Sequence, residues 1–231
     1  MTLVEAITSC LILGLLVSVV FAVFQLGTRS FRTLLVRQGI QSEARRVSAL
    51  LRRDLVVTHF RSTSTVDRTS PMTPAPLNER DILCFSGLDN WSDASNFDDT
   101  LKPQWNRYIQ WYATTIDPEE EPPYGKPELG QLVRKEVVPN SPAPPIAFPL
   151  PMLDPMPDTL TATPSGGGDA YRILSRNVLH FSITTDSDEE NVLVHLILRQ
   201  PGFQSATGLK RENETFECFI EMRPENTWPG L

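Results

Sequence analysis

The sequence predicts an α+β protein. One long N-terminal helix, membrane-spanning in its first half and amphipathic in its second, packs on an antiparallel β-rich globular domain. Three observations predict this. From Ala6 to Gly27 the only ionisable group is the thiol of Cys10. From Phe31 to Leu55 apolar residues recur mostly every three or four positions, the spacing of a helix face. Beyond Ser70 the apolar period changes to two, the spacing of strands.

The apolar segment comes first. The twenty-two residues from Ala6 to Gly27 form a helix about 33 Å long, enough to cross a bilayer core. A secretory signal has a basic start, a shorter apolar stretch and a small-residue cleavage site; this segment begins with no basic residue, and its apolar stretch is too long for one. Glu5 stands just inside one end. A carboxylate there is costly in hydrocarbon and is by default a functional residue. The natural partner for its charge is an α-amino group, its own or that of a neighbouring copy.

No proline occurs between Met1 and Ser70, so the helix is expected to run from about residue 2 to about residue 58. Phe31, Leu35, Ile40, Ala44, Val47, Leu51 and Leu55 draw its apolar stripe. Arg37, Gln41, Arg45, Arg52 and Arg53 read as its solvated face, and Arg29 and Arg32 stand where they would meet anionic headgroups. The chain thus divides into 1–28, a membrane or core helix; 29–60, its amphipathic continuation; and 61–231, the β-rich domain.

Six strands are expected in that domain, at 80–86, 108–113, 132–138, 178–184, 192–198 and 216–222, in one or two antiparallel sheets on the helix stripe. The run VLVHLIL (192–198) is almost continuously apolar and reads as a central strand. On the last strand Glu217, Phe219 and Glu221 alternate with Phe216, Cys218, Ile220 and Met222, so one face is mostly charged. Asp186 to Glu190 reads as a hairpin turn. Proline-rich insertions interrupt the strands. The larger, about 139–168, holds nine prolines between Pro139 and Pro164 and ends in Gly166-Gly167-Gly168. It neither donates to a sheet ladder nor continues a helix. It reads as an exposed loop or, through Ile146, Phe148, Leu150, Met152 and Leu153, as a strap for a neighbouring subunit.

Composition narrows the function. Net charge is −7 and the sequence pI about 5.0, which argues against nucleic acid as a main partner. Of three cysteines, Cys84 and Cys218 fall on predicted strands. A disulfide between them needs Cα atoms within about 7 Å, and buried free thiols are the simpler reading. Asp89, Asp93, Asp98 and Asp99 gather oxygen ligands of the kind calcium prefers. They lack the EF-hand spacing, so a plain polar loop is the simpler reading. His59, His180 and His195 have no metal-ligand spacing. Nucleophile elbow, phosphate loop and Cys-x-x-Cys are absent from the sequence, so the chain is not expected to be an enzyme. A membrane-anchored periplasmic enzyme is the least favoured reading.

Met1-Thr2-Leu3-Val4-Glu5 followed by an apolar helix resembles the mature N-terminus of type IV pilins and type II secretion pseudopilins. The resemblance implies cleavage of a leader by a prepilin peptidase, methylation of the new N-terminus at Met1, and pairing of Glu5 with the N-terminal amine of an adjacent subunit. Phe21-Ala22-Val23 stands where many major pilins carry proline. The order of the Arg52–Leu55 helix end, an ILCF strand, a YIQWY strand, a Leu-Val-Arg-Lys strand, Asn-Val-Leu-His-Phe-Ser-Ile and a closing hairpin is similar to the larger minor pilins and pseudopilins of the J/PilW type. From this follow the expected partners: other minor pilins or pseudopilins, the major pilin, an inner-membrane assembly platform, and membrane lipid before assembly. A single pass through the cytoplasmic membrane, the globular domain outside the cytoplasm, and a place at or near a filament tip also follow. On charge alone Arg29, Arg32 and Arg37 would set that end of the helix toward the cytoplasm, so the orientation comes from the resemblance. A tip adhesin or substrate-binding module is the alternative.

Overall fold

In the computed structural model the residues described are 2–68, 79–99, 101–115, 129–137, 170–201 and 213–224. Met1 and the proline-rich 139–168 insertion lie outside them. The elements run α1 (Leu3–Val56), β1 (Ser64–Val66), β2 (Ile82–Gly87), β3 (Arg107–Thr115), β4 (Gly130–Val137), β5 (Ala170–Asp186), β6 (Asn191–Pro201) and β7 (Asn213–Met222). Short 3₁₀ turns sit at Phe60–Ser62 and Ala94–Asn96. The strands form one seven-stranded sheet in sequence order, β1-β2-β3-β4-β5-β6-β7. Every pairing from β1 through β6 is antiparallel.

Two compact units divide the chain. The first is residues 1–39 with 201–214, the second residues 40–200 with 215–231. In the first unit, every large apolar side chain from Leu3 to Leu26 is at least half exposed. By length and composition this stretch can cross a membrane, which makes it a membrane anchor or a signal-like segment. Three hydroxyls in and beside it bond within their own helix: Thr8 donates to Val4 O at 3.0 Å, Ser18 to Leu15 O at 2.8 Å and Thr28 to Phe24 O at 2.8 Å. Hydroxyls bonded this way cost little in hydrocarbon. At the far end of the unit Arg37 pairs with Glu214 at 2.9 Å.

The second unit is a helix on a sheet. Ile40, Ala44, Val47, Leu51 and Leu55 are buried against Leu83 and Phe85 of β2, Trp111 of β3, Phe181 and Ile183 of β5, Val194 and Leu196 of β6, and Ile220 of β7. The helix stops in the β-branched run Val56-Val57-Thr58, which has low helix propensity. Thr58 then fixes the exit: its backbone N donates to Leu55 O at 3.2 Å and its hydroxyl to Ser86 O at 2.9 Å. The opposite face of β2–β4 is covered too, by clusters around Cys84, Trp105 and Tyr108 and around Ile82, Tyr112 and Val133. Burial on both faces explains why β2 shows no polar alternation.

The sheet curls, and the residues preceding β2 touch the second half of β5. Arg80 forms a parallel bridge with Phe181. Asp81 N donates to Phe181 O at 2.9 Å, while the Asp81 carboxylate accepts from Ile183 N at 2.8 Å and Arg68 N at 3.0 Å. Gly130 makes this closure fit. A Cβ there would lie 2.7 Å from Thr114 O and 3.1 Å from Arg80 Cζ.

Three expectations change. Phe31 and Leu35 do not join the buried stripe; they are 61% and 46% exposed, and Val36 is buried instead. The reason is phase: at 100° per residue Phe31 lies about 180° from Ile40 around the helix and Leu35 about 140°. A strand absent from the expectation, β1, pairs with β2. The strand expected at 178–184 is the second half of a 17-residue strand whose first half pairs with β4. Of the one or two sheets expected there is one, and it holds the seven described strands. The 186–190 turn is where it was expected, with Asp186 opposite Asn191 and Glu190 at a positive φ of 50°.

Candidate functional site

Glu5 opens the helix. Its Oε2 accepts from Thr2 N at 2.8 Å, and Ala6 N donates to Thr2 O at 3.2 Å. This is one half of a capping box, with Thr2 as N-cap and Glu5 at the third helical position. The carboxylate also faces the positive end of the helix dipole. Within a single chain Glu5 therefore already has a use. That use satisfies an amide at the start of an exposed apolar helix.

At the other end of α1 lies a buried polar network. Asp54 is 4% exposed. Its Oδ2 accepts from Arg134 Nε at 2.5 Å and from Trp111 Nε1 at 3.2 Å, and its Oδ1 from Arg53 at 3.2 Å. Arg134 also pairs with Glu136. Burial works against the Arg134 charge, but the Asp54 and Glu136 carboxylates outweigh it and hold its pKa above the usual value. The network joins the last turn of the helix to β3 and β4.

A third group lies on the sheet face turned away from the helix. His180 and His195 face one another with ring centroids 4.6 Å apart, and His195 stacks on Phe219 at 4.4 Å and 10°. His195 Nε2 lies 2.7 Å from Glu217 Oε1. His180 Nε2 is 3.0 Å from Ser182 Oγ and 3.6 Å from Glu79. Burial, then the facing His195, pushes the His180 pKa below its ordinary value, against the pull of Glu79 and Glu217. Metal-ligand spacing, which these histidines lack, is not what brings them together. The signal was the hairpin: a turn at 186–190 sets Ser182 opposite His195, which brings His180 to the same face two residues away.

A pH dependence follows. A histidine whose folded pKa is lowered adds stability that is complete above the unfolded value, about 6.5, and is lost as pH falls through the folded value. Urea midpoints are expected to fall between pH 7.5 and 5.5, less steeply in His180→Gln. His59, lowered first by burial, acts in the same direction, so the variant should keep part of the slope. An equal slope in wild type and variant would remove His180 from this account.

Of the four aspartates raised as possible calcium ligands, three have separate structural tasks. Asp89 Oδ1 accepts from Asn90 N at 2.7 Å, Asn96 Nδ2 at 2.7 Å and Asn106 Nδ2 at 3.0 Å. The Asn106 bond foremost holds the Asp89 carboxyl below its ordinary range. Asp93 caps the 94–96 turn through Ser95 N at 2.9 Å, and Asp98 accepts from Lys102 N at 2.8 Å. Asp99 is exposed. Among the described residues no three His, Cys, Asp or Glu side chains are grouped to hold a metal.

Cys84 and Cys218 are free thiols, so the structure does not join them in the disulfide raised as an alternative. Cys84 lies with Trp105 and Tyr108 on the sheet face away from the helix, and Cys218 packs on the helix-side core. Burial pushes the Cys84 thiol up to about 12, which leaves it a poor nucleophile. Neither a family model nor a curated protein nor a solved structure matches this chain.

Proposed function

We propose that this chain is a minor pilin or pseudopilin, a filament subunit held in the cytoplasmic membrane by its N-terminal helix until it is drawn into a type IV pilus or type II secretion pseudopilus. The observation that carries this reading is the single carboxylate Glu5 at the start of an exposed apolar helix that continues without a break into the helix of a packed domain. A simple anchor could cap its helix with a neutral acceptor, and deleting the charge would favour the membrane.

The mechanism has two parts. On assembly the apolar helix exchanges lipid for neighbouring helices, a step with little hydrophobic driving force of its own. Pairing of Glu5 with a neighbour's N-terminal amine then sets the stagger, because any other register leaves a charge unpaired in an apolar bundle. The work is assembly, priming or tip presentation rather than chemistry. The partners are other pilin-like subunits, the assembly platform and the prepilin peptidase.

The test is to express the tagged full chain in a host that carries such a machine. Sheared filaments and detergent-extracted membranes are then analysed by mass spectrometry. The expected result is recovery with pilin-like proteins and an N-terminal peptide that begins at a methylated Met1. A chain recovered without pilin-like partners, with an unmodified N-terminus, would overturn the proposal.

A further inference from the structure

On β7, Glu217, Phe219 and Glu221 alternate on the face turned away from the helix, all three exposed. The strip is held in one conformation. Phe219, 59% exposed, rests on His195. Glu217 is bonded to His195, and Glu221 accepts from Asn191 Nδ2 at 2.7 Å. Two carboxylates about 13 Å apart along the strand therefore bracket an aromatic ring. Beside them opens a cleft of about 640 Å³ lined by Asp188, Glu189, Asn191, Glu221 and Arg223, mostly negative.

The complementary pattern is on the helix. Seven arginines stand between residues 29 and 53 of a chain whose net charge is −7. Among them Arg45 and Arg52 are exposed, with the exposed Ala49 between them. At 1.5 Å and 100° per residue these three positions span about 10.5 Å and lie within about 60° of arc. Two guanidinium groups thus flank a small residue, at nearly the spacing at which two carboxylates flank Phe219. Guanidinium forks suit carboxylates and also lie well on an aromatic face. Ala49 leaves room for the ring.

We propose that the Glu217–Phe219–Glu221 face of one copy docks on the Arg45–Ala49–Arg52 face of α1 in a second copy. Within residues 40–200 and 215–231 the two faces lie on opposite sides. The helix buries Ile40, Ala44, Val47 and Leu51 toward the inner face of β5–β7, so Arg45 and Ala49 turn away from the sheet and Arg52 lies on the helix flank, near enough to Cys218 to act on its thiol, while Phe219 points away from the helix. A contact between opposite sides is heterologous and repeats head to tail instead of closing a two-fold dimer. It does not depend on Glu5 or on the filament reading above, and Glu5→Val should leave it intact.

The test is sedimentation velocity of the full chain in nonionic detergent, at about 50 mM and about 500 mM salt. Wild type should self-associate at low salt and at least about tenfold more weakly at high salt. Glu217→Arg/Glu221→Arg and Arg45→Glu/Arg52→Glu should each be monomeric with unchanged far-UV spectra. Their mixture should associate again, which misfolded variants would not do. Phe219→Ala should weaken association about tenfold. A monomeric wild type at low salt, association that both charge reversals leave unchanged, or a folded mixture that stays monomeric would each overturn the proposal.

Discussion

Glu5→Val is expected to insert in the membrane and be processed like the wild type, yet to fall to background in assembled filaments. Two roles compete for Glu5, and they separate by substitution. As a helix cap it accepts one amide, Thr2 N. Glutamine keeps such an acceptor, and losing a cap altogether costs only about 1 kcal/mol. As the partner of a neighbour's amine it supplies a charge that glutamine lacks. Glu5→Gln should therefore behave as Glu5→Val if pairing sets the register, and as wild type if capping is the role. Glu5→Lys adds a cation beside the partner's amine and should be at least as defective as Glu5→Val. Filament incorporation of Glu5→Val at the wild-type level would remove the pairing mechanism, because an apolar residue in that position should only favour the membrane.

What the sequence disclosed and what it withheld follow from the range of the interactions. The helix stripe and most strands from 82 to 222 were legible because burial leaves a local mark, a period where one face is buried and a continuous apolar run where both are, as in β2. Even there the phase had to be kept: Phe31 and Leu35 are spaced acceptably from each other but fall on the wrong side of Ile40. The three residues of β1 are too few to show a period. The first half of β5 was missed because Arg172, Arg176 and Asn177 interrupt its apolar residues, and what makes it a strand is pairing with β4. The charged face of β7 was read correctly from alternation alone. The contacts that assemble the sites were out of reach because they are nonlocal. Asp54 meets Trp111 and Arg134 across 57 and 80 residues of chain. Glu217 meets His195 across 22, beyond the single hairpin that would have aligned them.

The Asp54 network should be the most costly of these contacts to break. A carboxylate in the last turn of a helix lies against the negative end of the helix dipole and, when buried, loses its hydration. It is held there by two donors that need it: the Arg134 guanidinium and the Trp111 N–H, whose residue is fully buried. Asp54→Ala removes the acceptor from both. Glu136 still pairs with Arg134, but Trp111 is left with a buried N–H and no acceptor, and the helix end loses its tie to β3 and β4. The expected destabilisation is about 3–5 kcal/mol, because the Arg134 charge keeps only the more exposed Glu136 and the buried Trp111 N–H is left unsatisfied. Asp54→Asn keeps one acceptor oxygen and should cost about 1–3 kcal/mol. Arg134→Met, which removes the cation and keeps much of its apolar stem, should soften the effect of Asp54→Ala, so that the double variant loses less than the sum of the singles. Urea denaturation followed by tryptophan fluorescence reads all four proteins, with Trp111 as a reporter inside the network. Additive losses, or a cost for Asp54→Ala below about 1 kcal/mol, would mean that the apolar stripe from Ile40 to Leu55 alone seats the helix and that Asp54 is a bystander.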